Sequence, residues 1–154
     1  FWLYEKSKNE RVKLGTVTLD KIVISENKII SVTGGDVMHG IKTTSSGYKS
    51  FGELYFSWIE RNFIKAWKKH NLMTLNLIVP YGKVKFIFYD EPFENFISLT
   101  IGENNFKRIT VPPGIWFGFK GCFHKKSLVV NCADIPHDPK EVEIKPVSDF
   151  PFGG

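Results

Sequence analysis

Long apolar runs are missing from this sequence of 154 residues. The longest are a few residues, such as Leu77-Ile78-Val79, so no stretch is long enough to cross a membrane as a helix. Cysteine is scarce, with only Cys122 and Cys132, and neither belongs to a CxxC pair or a metal-site pattern. They read as free buried thiols of a cytoplasmic protein rather than as a disulfide. No secretory signal opens the chain, since Phe1 and Trp2 mix with Glu5, Lys6 and Lys8; the first residue is not Met, which fits a segment upstream of it. Glycine-rich phosphate loops, HExxH and GxSxG are absent, which leaves nucleotide hydrolysis, zinc-peptidase and serine-hydrolase chemistry without support. The basic surplus, 21 Lys and Arg against 16 Asp and Glu, is modest and dispersed. It suits a small anionic partner and lacks the concentrated stripe of a nucleic-acid binder.

Aromatic residues are plentiful: fourteen Phe, five Tyr and four Trp. They favour strands and a ligand-lined barrel over helices. Met73, Leu75, Leu77 and Val79 share one parity, then Pro80-Tyr81-Gly82-Lys83 makes a turn, and Val84, Phe86 and Phe88 alternate again. This pattern predicts a β-hairpin over 72–90. Further strands are expected at 17–23, 28–32, 51–57, 63–67, 96–101, 106–111, 115–119 and 127–131, and the segment 58–69 is too rich in aromatic and β-branched residues for a helix. Short strands with frequent turns indicate an all-β sandwich or barrel. One domain is expected, with N-terminal strands over 1–33, a barrel over 34–134, and a proline-containing tail over 135–154 that packs on the barrel or on a partner.

Four histidines are candidate bases. His70 stands among Lys65, Lys68 and Lys69, and cationic neighbours favour a neutral imidazole. The same residue also fits a solvated loop. His137 precedes Asp138, which could orient an imidazole or cap a turn. His39 occupies a glycine-flanked loop that could approach a ligand, and His124 reads as surface. Arg61, Lys65, Lys68 and Lys69 could grip a diphosphate or simply form a solvated face. Trp67 and Trp116 could offer flat platforms or pack in a core. Asn76 joins the substrate-binding candidates.

Several segments taken together resemble the cupin-type sugar-nucleotide epimerase family, which includes dTDP-4-dehydrorhamnose 3,5-epimerase-like proteins and sugar 3,4-ketoisomerases. They are Phe51-Gly-Glu-Leu-Tyr-Phe-Ser, Ile64-Lys-Ala-Trp-Lys-Lys-His70, Met73-Thr-Leu-Asn-Leu-Ile-Val, Gly82-Lys-Val-Lys-Phe, Val111-Pro-Pro-Gly-Ile-Trp116 and Asn131-Cys-Ala-Asp-Ile-Pro-His-Asp-Pro139. The similarity covers roughly residues 34 to 145. It implies a cupin-like jelly-roll β-barrel, often a homodimer, acting on nucleotide sugars for surface polysaccharides such as O-antigen. In such enzymes a histidine removes a proton next to a C4 ketone and a tyrosine returns one, without metal or organic cofactor. Here Lys68 stands where the family's catalytic histidine falls, Phe117 replaces the histidine after Pro-Pro-Gly, and Val130 or Asn131 occupies the late tyrosine position.

Two functions follow from that comparison. One is an isomerase with His70 as base and Lys68 or Lys65 stabilising the enolate or the diphosphate. Asp90, Glu53 or Asp138 would then orient the imidazole, and Tyr55 or Tyr81 would serve as acid. A lysine of the basic cluster could itself be the base. The other is a non-catalytic module that binds a nucleotide sugar or glycan.

Overall fold

The structure, a computed structural model, describes residues 4–6, 19–91 and 94–152. Thirteen strands account for about half of it. The first seven are β1 (Tyr4–Lys6), β2 (Val23–Glu26), β3 (Ile29–Ile30), β4 (Val37–Met38), β5 (Glu53–Ile59), β6 (Ile64–His70) and β7 (Leu75–Tyr81). The others are β8 (Lys83–Tyr89), β9 (Phe96–Gly102), β10 (Lys107–Val111), β11 (Trp116–Gly121), β12 (Ser127–Ala133) and β13 (Val142–Ile144). The expected strand over 17–23 begins outside the described residues; Leu19–Lys21 forms a 3-10 turn and β2 follows it.

Two antiparallel sheets face each other in the order β1-β9-β8-β11-β6-β13 and β2-β10-β7-β12-β5, while β3 and β4 make a small ribbon. This is an all-β jelly roll. Period-two alternation explains its interior: Leu75, Leu77 and Val79 of β7 meet Val84, Phe86 and Phe88 of β8 and Ile97, Leu99 and Ile101 of β9 in one buried cluster. Phe86 and Phe88 stack with ring centres 6.1 Å apart, and Phe119 closes on Phe86 at 5.4 Å.

The hairpin predicted over 72–90 is not one. β7 bonds to β10 and β12, whereas β8 bonds to β9 and β11 in the opposite sheet. Alternation records which face of a strand is buried, and it is silent about the strand's hydrogen-bonded neighbour. The corner between β7 and β8 turns at Gly82, whose φ of 91° and close approach to Ser127 leave no room for a Cβ. The true hairpin is β8–β9, running from Lys83 opposite Gly102 to Tyr89 opposite Phe96.

After β12 the chain turns back along the barrel. β13 adds to the edge of β6, with Val142 opposite His70 and Ile144 opposite Lys68. Phe150 and Phe152 then cover Trp67, Tyr89 and Trp116 on the outer face of the six-stranded sheet. Among the described residues Cys122 and Cys132 are unpaired, and no helix is long and apolar enough to cross a membrane.

Candidate active site

A cavity of about 760 Å³ lies between the two sheets, lined from β5, β6, β7, β11 and β12, by His137 in the loop after β12 and by Val142 and Ile144 of β13. Its lower wall is apolar, with Leu75, Leu77, Val129, Phe117 and Phe119. Its polar lining includes His70, Lys65, Lys68, Tyr55, Asn131, Glu53 and His137. A large, mostly apolar hollow with a few converging polar groups is the usual form of a small-molecule site.

A bulge in β6 sets which cations face inward. Lys69 pairs with Trp116 and Lys68 with Phe117; the register then shifts, so that Ala66 lies opposite Gly118 and Lys65 opposite Phe119. The extra residue, Trp67, reverses the alternation, and Lys65, Lys68 and His70 all line the cavity. Gly118 permits this, because a Cβ there would lie 2.5 Å from that of Ala66. Lys69 takes the outer face, bonded to Glu91 at 2.7 Å and Glu143 at 3.1 Å beside the Trp116 ring.

His70 is 6% exposed, and its ring stacks on Phe117 with centres 6.1 Å apart. Its Nδ1 lies 2.5 Å from Oε2 of Glu141, which is itself 3% exposed. The other carboxylate oxygen, Oε1, accepts the backbone N–H groups of Leu72 at 3.0 Å and Met73 at 2.8 Å. Burial works against the charge on Glu141, but the bonds from His70, Leu72 and Met73 outweigh it and hold the carboxyl below the usual glutamate range. An ionised Glu141 accepts a hydrogen bond from Nδ1, so Nδ1 carries a ring proton and Nε2 is the nitrogen that Glu141 does not engage.

Tyr55 reaches the same hollow from β5. Its hydroxyl accepts from Asn131 Nδ2 at 2.9 Å, the two residues being direct register partners across β5 and β12. Burial pushes the phenol up; the Asn131 bond lowers it, and the nearby Glu53 and Glu141 charges push it further up, so the proton is retained. Asn131 thus occupies one of the two positions considered for the missing family tyrosine, and the adjacent strand supplies a phenol there.

Of the remaining candidates, Glu53, Lys65, Trp67 and His137 border the cavity and the others do not. Asp90 sits at the end of β8, where it accepts Asn95 N at 3.1 Å and Asn95 Nδ2 at 2.8 Å; it closes a loop and orients no imidazole. Asp138 caps the 3-10 turn Pro139–Glu141 through Lys140 N at 3.0 Å, so it positions Glu141 rather than a histidine. Glu53 accepts the backbone N–H of His137 at 2.8 Å, which fixes the loop over the cavity mouth. Arg61 bridges to Gly121 away from the cavity. Lys65 Nζ donates to Trp58 O at 2.7 Å at the rim. The indoles of Trp67 and Trp116 are 0% and 1% exposed within the outer aromatic cluster, so neither is a platform for a base. Asn76 accepts from Arg108 Nε and Thr110 Oγ1 outside the cavity. Tyr81 packs edge-on against Trp58 and Phe123, likewise outside it, and His124 is exposed.

Glu141 was not legible in the sequence. It lies 71 residues beyond His70, and its one local signal is the Asp-Pro opening of its turn. Among the described residues no cluster of three or more His, Cys, Asp or Glu could hold a metal ion.

No protein-family model matches the sequence, and neither does any curated protein. Among solved structures, a dTDP sugar isomerase from Desulfovibrio desulfuricans G20 shares 34% identity and superposes with a TM-score of 0.80, covering 84% of this chain and 87% of that one. The chain belongs to the cupin-type family of dTDP-sugar isomerases and epimerases. The fold of this family recurs in two more distant structures. A sugar 3,4-ketoisomerase from Thermoanaerobacterium thermosaccharolyticum, in complex with TDP, is 16% identical at a TM-score of 0.69, covering 82% of this chain and 89% of that one. A dTDP-6-deoxy-D-glucose-3,5-epimerase from Legionella pneumophila, in complex with dTDP-4-keto-L-rhamnose, is 14% identical at 0.72, covering 87% and 77%.

Proposed function

We propose that the protein is a sugar-nucleotide isomerase acting on a dTDP-linked 4-keto-deoxyhexose, with a rebuilt acid–base set. The buried His70–Glu141 pair opening into the barrel cavity carries this reading. His70 Nε2 removes a proton from the carbon next to the ketone, and the C–H electron pair moves into the carbonyl to give an enolate. Lys68, two residues along the same strand, offsets the charge on the enolate oxygen. Glu141 faces the imidazolium while it exists. Tyr55 returns a proton to carbon from the other side, which inverts that centre. Lys65 at the rim suits the diphosphate. The chemistry asks for no metal or organic cofactor. A cytoplasmic role in making surface polysaccharide such as O-antigen fits the substrate, and a homodimer fits the row Leu54, Phe56 and Trp58, exposed on the edge strand β5.

Incubation of the 4-keto sugar nucleotide in deuterated water tests the mechanism. Wild type should place deuterium at C3 or C5, and His70→Ala should not. A wild-type protein that binds dTDP yet exchanges no proton would establish the alternative, a binding module whose chemistry has been lost.

A further inference from the structure

A second cavity, of about 420 Å³, lies outside the barrel between β2 and the loop 39–46, and the proposed reaction makes no use of it. At its base is Arg108 of β10, only 3% exposed. A buried guanidinium ordinarily faces a carboxylate or another anion, because desolvating its charge is costly. Here every acceptor it reaches is neutral. Nε points at Asn76 Oδ1 at 3.2 Å, Nη1 at Asn27 Oδ1 and Gly40 O at 3.4 Å each, and Nη2 at Ser25 Oγ at 3.3 Å and Ser46 O at 2.5 Å. Three of the five contacts exceed the usual range for an N–H···O bond, so a stronger acceptor could displace them.

Lys28 and Lys42 add positive charge to the same hollow, which His39 and the hydroxyl-bearing Ser25, Ser45 and Ser46 also line. The one lining carboxylate, Glu26, is engaged by the buried Lys107 next to Arg108. The fork of Arg108, two exposed lysines and serine hydroxyls together are the kind of donor set that a phosphate group takes. The volume suits a phosphomonoester of a small metabolite or inorganic phosphate, and not a polymer.

We infer that this cavity is an anion site that takes the phosphate group of a small molecule on Arg108, Lys28 and Lys42, independently of the barrel cavity. The test is a titration of the full chain with inorganic phosphate and, separately, glucose 1-phosphate, followed by amide NMR shifts. Saturable shifts at Gly40, Ser45 and Ser46 are expected. Equal affinities would identify phosphate alone as the ligand, and tighter glucose 1-phosphate would identify a phosphosugar. Lys28 and Lys42 are exposed, so the double variant Lys28→Glu/Lys42→Glu should fold and bind at least about tenfold more weakly. Arg108→Lys, which keeps the charge and loses the fork, should weaken binding as well. Absence of saturable shifts with both anions overturns the inference. So does wild-type affinity in the double lysine variant, or shifts that map instead to Lys68 and Tyr55.

Discussion

Glu141→Gln keeps the size of the side chain at the His70 ring and removes its charge. The amide can present either oxygen or N–H to Nδ1, so the proton is no longer fixed there and Nε2 is no longer reliably the basic nitrogen. Turnover should fall by about a hundredfold or more, with KM nearly unchanged, and the pH–rate profile should change shape, which a packing defect would not produce. Stability carries a second signature. The folded carboxyl titrates below its ordinary value, so its contribution is fully present above the ordinary carboxylate range and is lost as pH falls through the depressed folded value. Wild type should therefore lose stability on acidification more steeply than Glu141→Gln, as measured by urea unfolding at several pH values. His70 and Lys68 were visible in the sequence as neighbouring chemistry-bearing residues, and Tyr55 only as one of two candidate acids beside Tyr81. Glu141 was not, because a carboxylate in a turn looks like any other solvated charge until the tail folds back over β6.

The bulged strand β6 and the tail strand β13 are where elements decide chemistry. Alternation read from sequence places Lys65 and Lys68 on opposite faces, and one inserted residue, Trp67, brings them to the same one. Gly118→Ala tests that device. Its Cβ would press on Ala66 and on the Trp67 ring, so β6 must shift. A loss of about 1–3 kcal/mol in chemical unfolding is expected, with a fall in kcat larger than the same loss of stability produces elsewhere. Phe152→Ala provides that comparison. Phe152 is 9% exposed over Trp67, and its removal should cost about 3 kcal/mol. Because it lies on the outer face, turnover of the folded fraction should be unchanged. The strands themselves were largely legible, since β5, β6, β7, β8, β9, β10, β11 and β12 all fall on predicted segments. The predicted hairpin failed because burial parity cannot distinguish a partner in the same sheet from a partner across the core.

For the whole molecule, the exposed row Leu54, Phe56 and Trp58 sits on a strand whose outer edge is unpaired within the sheet among the described residues. If a second copy covers it, Phe56→Glu should shift the protein from dimer to monomer in sedimentation velocity, and a monomeric wild type would discard the homodimer. The amino-acid sequence alone determined the all-β class and the family, because alternation and motif order are local properties of the chain. The tertiary structure alone decided that β7 and β8 belong to different sheets, that Trp67 and Trp116 are packing residues, that Asp90 serves a loop, and that Glu141 holds His70. Those outcomes depend on which distant segments meet, and that is settled by closing two sheets over one core and laying the tail along its edge.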